Sequence, residues 1–378
     1  MEAFFCPCPV GLEISLSAEL GSMGLQNIIV TGGGVAWQGT LAQVMQVNLY
    51  SRMASRVLWL VGRGDYGEAQ DVYAGAVCLP WEDWLTASQT IRVDTHAHLS
   101  PLKSLDFVTL LVKDAVCDRL RERGGSRPSV DTHNPDHRVF VYLTDSRYNI
   151  YLDTTGSGLF RRGQRPERGI APLKKNLAAG LLSLAGWSGQ EPLLDPFCGT
   201  GTILLEAANI AQHRAPGLGR SFSFQKIQNW PIASWLHDQA EAEGLVRPLM
   251  EDLLWGYDGK GDAVTQAKMN AEAVGLTSGI RFKQVNFTES KAPMPMGCIV
   301  TNPPYGIRLG EQEQLAQEYV EWGNALKQKY AGWRAYFLTA DRSFERQVRL
   351  RVSKRMVLKN GDLDCRLYEI VVRSGSYR

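Results

Sequence analysis

Four acidic or amide residues stand where short apolar runs break off: Asp195 after "EPLL", Asp258 after "LLWGY", Asn286 after "IRFKQV" and Asn302 after "GCIVT". The first continues as "DPFCGTGT", in which Gly199 and Gly201 let the backbone turn tightly against a ligand. A dinucleotide fingerprint needs a third glycine where this chain has Leu204, so a smaller ligand than a dinucleotide is indicated. Asp195, Pro196, Phe197, Gly199, Thr200 and Gly201 form the candidate cofactor loop. Asp258 offers a carboxylate able to accept from both hydroxyls of a ribose, and Asn286 an amide oxygen able to accept from an adenine amino group. Asn302 opens "NPPYG", where Pro303 and Pro304 cannot extend a β-ladder, so the chain must leave its strand there as a rigid turn or a site. Polar groups at four strand tips are costly to place without a ligand. They also fall where open α/β sheets bind one.

The elements that must position these residues alternate from about residue 165 onward. "EPLLDPF", "LLWGYD", "IRFKQVNF", "GCIVTN" and "WRAYFLTA" read as strands; "GTILLEAANIAQHRA", "DAVTQAKMNAEAVGL" and "LAQEYVEWGNALKQKY" read as helices. That order predicts an α/β domain with a parallel sheet and helices on both faces. Two strand-like runs around Asn360-Gly361 add an antiparallel hairpin at the sheet's edge. Such a sheet suits a class I (Rossmann-like) methyltransferase better than a dinucleotide-binding domain. The first 160 residues read as one or two small α+β units, joined to the rest through a basic linker near 160–170.

At 378 residues the chain can hold two or three domains. Its 44% apolar and 21% charged residues are those of a globular protein, and no apolar run approaches a membrane span. "MEAFFCPCPV" has an acid and no base before its apolar patch, unlike a signal peptide, so a cytoplasmic location is expected. Seven scattered cysteines suggest free thiols rather than a disulfide framework. The net charge of +2 says little about partners, but "RRGQRPERGIAPLKK" concentrates Arg161, Arg162, Arg165, Arg168, Lys174 and Lys175 against Glu167 alone. Arg161, Arg162, Arg165, Arg168 and Lys174 are candidate RNA-phosphate contacts. "DRSFERQVRLRVSKRMVLK" is a second basic cluster.

"DPFCGTGT" with "TNPPYG" resembles the S-adenosylmethionine-dependent amino-methyltransferases. "GLEISLSAEL", "SRMASRVLWLVG", "LDTTGSGLFRRGQRPERGIAPLKKNLAAGLL", "RAPGL" and "KNGDLDC" resemble, over essentially the whole chain, the bacterial 23S rRNA guanine-N2-methyltransferase family. The resemblance implies a ferredoxin-like region (1–55), a THUMP RNA-binding domain (56–158) and a methyltransferase domain (159–378). It implies S-adenosylmethionine as cofactor and 23S rRNA as partner, with no membrane and no obligatory protein partner. Some members fuse this unit to a second methyltransferase; the residues here carry one set of motifs, implying the N2 activity alone. The family usually has Asp at the position of Asn286, an acid at that of Lys260 and Glu at that of Lys175. An amide oxygen at 286 is a weaker acceptor than a carboxylate.

The resemblance also implies the chemistry of Asn302, Pro303, Pro304 and Tyr305. The Asn302 side-chain oxygen and the Pro303 carbonyl would accept from the target amine, favouring a tetrahedral nitrogen. The two prolines hold that carbonyl rigidly, and Tyr305 would stack on the base. Positioning is then the main catalytic device. The target base must be unpaired or flipped from the stack.

Other groups carry less. Asp94, His96 and His98 share a strand, and His133 and His137 lie four apart, but surface or loop histidines explain them better and no metal is expected. Cys198 has no neighbouring histidine in its motif and reads as a packing residue. The tryptophans near 230–235 fit either a core or a nucleotide entrance. Two other functions fit the motifs: an adenine-N6 methyltransferase acting on DNA or RNA, because NPPY also serves that amine, and a non-catalytic RNA-binding assembly factor.

Overall fold

The computed structural model describes residues 1–162, 173–276, 278–305 and 311–373, with backbone alone for 311–314. The N-terminal portion runs β1 (Glu2–Pro7), α1 (Glu13–Ser22), β2 (Gln26–Thr31), β3 (Gly34–Gly39), α2 (Leu41–Tyr50), β4 (Leu58–Asp65), α3 (Ala69–Val77), β5 (Thr90–Ala97), α4 (Leu105–Gly124), β6 (Ser129–Val130), β7 (His137–Leu143) and β8 (Arg147–Asp153). These strands make one sheet in the order β2-β3-β1-β4-β8-β7-β5-β6. The α+β reading of this region holds, but its two parts share a sheet because Phe4 of β1 pairs with Trp59 of β4. β1 itself lay unread in "MEAFFCPCPV". Its alternation is clear only once Phe4, Cys6 and Cys8 are seen buried and Phe5 is not.

The second portion contains α5 (Lys175–Leu184), β9 (Leu193–Asp195), α6 (Thr202–Ala211), α7 (Trp235–Gly244), β10 (Leu254–Asp258), α8 (Gly261–Ala273), β11 (Ile280–Gln284), β12 (Gly297–Thr301), α9 (Glu311–Lys329), β13 (Trp333–Thr339), α10 (Phe344–Gln347), β14 (Val352–Asn360) and β15 (Leu363–Val371). Its sheet is ordered β11-β10-β9-β12-β13-β15-β14; β11 to β13 run parallel, and β15 and β14 antiparallel. β9 and β12 are buried along their whole length, as a sheet covered on both faces requires. In the terminal hairpin Asn360 pairs with Leu363, so Gly361 and Asp362 form the turn, and Gly361 takes the positive φ of 61°.

The two portions are locked together. The segment between α6 and β10 folds against the N-terminal unit: Trp230 meets Trp59 edge-on (ring centroids 5.9 Å apart) and stacks on Phe224 (5.6 Å), while Trp235 abuts Phe224 (5.0 Å). The tryptophans near 230–235 are therefore core. Gly217 lies so close to α2 that an added Cβ would sit 2.7 Å from the Asn48 carbonyl oxygen. A buried polar set spans the joint: Asn48 donates to Thr154 (3.1 Å) and accepts from Thr155 (2.7 Å), and Asn176 donates to Ser55 (3.0 Å). This accounts for "DTTGSG" and for the buried amide of α5. Among the described residues no helix is long and apolar enough to cross a membrane.

Candidate active site

The strand tips converge at the carboxyl edge of the second sheet. Asp195 ends β9, and its carboxylate accepts from the Thr301 hydroxyl at the end of β12 (2.6 Å) and from the Phe197 N–H (3.2 Å). Burial pushes its pKa up to about 7, against the opposing pull of those two hydrogen bonds. It is 2% exposed, so it ties the glycine loop to β12 from beneath. The loop is fixed on its other side by β10: the Gly199 N–H donates to Asp258 Oδ2 (3.0 Å), the Cys198 N–H to the Tyr257 carbonyl (2.9 Å). Asn270 of α8 donates to the Thr200 carbonyl (2.9 Å). Gly199 and Gly201 have φ of 52° and 84°, and Gly201 caps α6, whose N-terminus faces this edge. Pro196 is buried, and Phe197 reaches into an aromatic cluster with Trp322 (4.6 Å) and Phe287 (5.6 Å).

Asp258 is partly exposed, and its second oxygen accepts from the Lys260 N–H (2.9 Å), which sets the carboxylate's orientation. Asn286 lies two residues beyond β11, exposed, with its Oδ1 over Gly259: a Cβ built there would stand 2.3 Å from it. Asp258 and Asn286 are thus neighbours. Asn302 follows β12 directly, half-buried, with Pro303 buried and Pro304 exposed. The Tyr305 hydroxyl donates to Asn302 Oδ1 and accepts from the Asn360 amide (3.2 Å). Tyr305 is itself packed against the large hydrophobic core, and burial raises its phenol's pKa.

The Cys198 thiol is raised far above its ordinary pKa by burial first, then by Asp195 and Asp258, which leaves it protonated and unfit as a nucleophile. Asp94 is held by Arg92 (2.6 Å) and Arg138 (3.5 Å), and among the described residues no group of three His, Cys, Asp or Glu side chains is placed to hold a metal ion. His137 is fully buried and its pKa is lowered to about 4 by desolvation, whereas His133 lies exposed in the preceding loop.

The basic stretch divides. Arg161 and Lys174 are exposed, their cationic groups 5.9 Å and 5.2 Å from the Phe160 ring centroid. Arg162 corrects the expectation of a phosphate contact: it is 7% exposed, paired with buried Glu206 of α6 and bonded to the Arg52 carbonyl, so it belongs to the inter-unit joint. Arg165 and Arg168 lie outside the described residues. In the second basic cluster Arg355 is taken by Glu345, and Lys359 lies 3.5 Å from Asp364.

Three positioning groups escaped sequence reasoning: Thr301 beneath Asp195, Asn270 on the loop carbonyl and Asn360 on Tyr305. Only Thr301 had a local signal, a hydroxyl ending an otherwise apolar strand.

Comparison with known proteins matches residues 162–369 to the family model described as RMKL-like, methyltransferase domain, residues 66–153 to the THUMP domain and residues 3–58 to the RlmL ferredoxin-like domain. The "Ribosomal RNA large subunit methyltransferase K/L" of Aeromonas hydrophila is 36% identical over 97% of this chain and 54% of its own length. The "Putative RNA methyltransferase slr0064" of Synechocystis is 34% identical, covering 97% of this chain and 96% of the relative. The chain thus spans about half the length of the K/L relatives it matches. A crystal structure described as "a putative methyltransferase complexed with SAH" superposes with a TM-score of 0.88 at 28% identity, covering 99% of both chains.

Proposed function

Because the chain belongs to the RMKL-like methyltransferase family, we propose that it transfers the methyl group of S-adenosylmethionine to the exocyclic N2 of a guanine in 23S rRNA, in the cytoplasm. The observation that carries this reading is the hydrogen bond between Thr301 and Asp195, which joins the tip before Asn302 to the tip that begins the glycine loop. A ligand on the loop and a base at Asn302 therefore share one edge. Asp258 takes the ribose hydroxyls, Asn286 the adenine amino group, and the loop from Pro196 to Gly201 closes on the remainder. When bound, the cofactor supplies an electrophilic methyl group on a sulfonium.

The residues of the chain do the rest by placement. Asn302 Oδ1 and the Pro303 carbonyl accept the protons of the target amine and turn its lone pair away from the ring. An amide oxygen has two lone pairs, so Asn302 accepts from the amine without losing Tyr305. Water removes the proton after transfer, because the methylated ammonium is acidic enough to release it without a strong general base. Arg161 and Lys174 meet backbone phosphates near the linker. The THUMP match and the names of the relatives favour RNA over DNA.

Calorimetry with S-adenosylhomocysteine, followed by labelled methyl transfer to undermodified 23S rRNA, tests the reading. Binding with transfer by the unaltered chain, and binding without transfer by Asn302→Ala, are expected. Full transfer by Asn302→Ala would refute the assigned role; no binding at all would favour a non-catalytic assembly factor.

A further inference from the structure

The eight-stranded sheet uses only one face for its core. Phe4, Trp59, Leu152, Val139 and Val93 follow one another across β1, β4, β8, β7 and β5 as cross-strand partners, and all are buried. Buried residues of α1 to α4 complete that core. The alternate residues point the other way; Leu58 and Asp153 are buried there, while Phe5, Leu60, Tyr151, Phe140, Arg138 and Arg92 remain partly exposed. On that side Tyr142 (40% exposed) stands between His96 and Asn149, and Asn149 lies opposite Arg63. One row along, Phe140 stands opposite Tyr151, whose ring is 6.2 Å from Phe5.

Arginines run between these rings. Arg56 lies 5.5 Å over Phe140, and Arg138 stands beside Arg92 across β7 and β5. With Arg63 this makes four guanidinium groups against the two carboxylates Asp94 and Asp153, while Arg147 and Asp65 offset each other at the rim (3.4 Å). Later in the chain, Phe160 has Arg161 and Lys174 around its ring.

We propose that this open sheet face is a binding platform for a single-stranded segment of the RNA substrate, with bases stacked on Tyr142, Phe140 and Tyr151 and phosphates held by Arg63, Arg92 and Arg138. The proposal rests on the reading that the substrate is RNA. The exposed ring of Tyr142 and the half-buried rings of Phe140 and Tyr151 offer π-faces that only unpaired bases can meet, because a duplex hides its base faces in its own stack. The excess of arginine complements the backbone's charge.

Fluorescence anisotropy of the full chain with a labelled, unstructured oligoribonucleotide tests the proposal, with a blunt RNA duplex as competitor. Tyr142→Ala is expected to weaken single-strand binding roughly tenfold, the order expected for one lost stack, while Tyr142→Phe binds as the unaltered chain does. Phe140→Leu should give a similar loss. Arg63→Gln should make the logarithmic salt dependence shallower by about 0.7. Tyr142 and Arg63 are exposed, so these variants leave the fold intact. Unchanged binding by Tyr142→Ala and Phe140→Leu, or a duplex that displaces the single strand more effectively than unlabelled single strand does, would overturn it. Failure to methylate guanine would not: the platform stands if Tyr142→Ala still loses the oligonucleotide.

Discussion

The phenol of Tyr305 donates to the side-chain oxygen of Asn302, and Asn360, at the turn of the terminal hairpin, donates in turn to that phenol at 3.2 Å. The hairpin that closes the sheet thereby reaches the residue proposed to hold the target amine. The N-terminal unit touches the same hairpin, because the Lys359 N–H donates to the Val10 carbonyl (3.1 Å). Tyr305→Phe keeps the ring and removes the relay. Its kcat is expected to fall about tenfold, the worth of one ~1.4 kcal/mol hydrogen bond, with KM for RNA little changed. Asn360→Ala should produce a similar fall alone and none in the Tyr305→Phe background. Additive losses in the double variant would show that Asn360 acts elsewhere.

Asp195 gives a pH dependence whose direction is fixed by its burial. Its pKa rises on folding from the ordinary 3.8 to about 7, so between those values the folded state holds a proton that the unfolded state has lost. Stability from this group is complete below about pH 4 and is lost as the pH rises toward 7. Asp195→Asn keeps an acceptor for Thr301 and cannot titrate. Denaturant midpoints measured from pH 4 to 7.5 should therefore decline less steeply for Asp195→Asn than for the unaltered chain; parallel curves would contradict the assigned burial.

Gly259 has a narrower duty. A methyl group there would meet Asn286 Oδ1 at 2.3 Å and force that side chain off Asp258's flank. Gly259→Ala is expected to weaken S-adenosylhomocysteine binding by about tenfold, roughly one hydrogen bond, with the unfolding temperature nearly unchanged. Equal affinity by calorimetry would mean that Asn286 does not touch the adenine.

The aromatic joint carries stability. Trp230 is 7% exposed between Trp59 and Phe224. Trp230→Ala should cost about 3–5 kcal/mol in chemical denaturation. A loss under 1 kcal/mol would show that the segment is not core.

The strands β9, β10, β12 and β13 were legible because each is a short, largely apolar run ended by a polar residue, and α6, α8 and α9 because each follows such a strand; α5, α7 and α10 had no such signal. Asp195, Asp258 and Asn302 could be placed at tips for the same reason. The first sheet was only half legible: β1 hid behind two prolines and two cysteines, and its pairing with β4 depends on residues more than fifty apart. Arg162 was misplaced because a basic run looks alike whether its members face solvent or a buried Glu206. The link from Asn360 to Tyr305 joins residues 55 apart in the chain, and no local pattern encodes such a contact.

The most direct test of the central claim is the identity of the product. Undermodified 23S rRNA, incubated with the full chain and methyl-labelled S-adenosylmethionine, is digested to nucleosides and resolved by mass spectrometry. The account expects the label in N2-methylguanosine, and none with Asn302→Ala; label confined to N6-methyladenosine would contradict it.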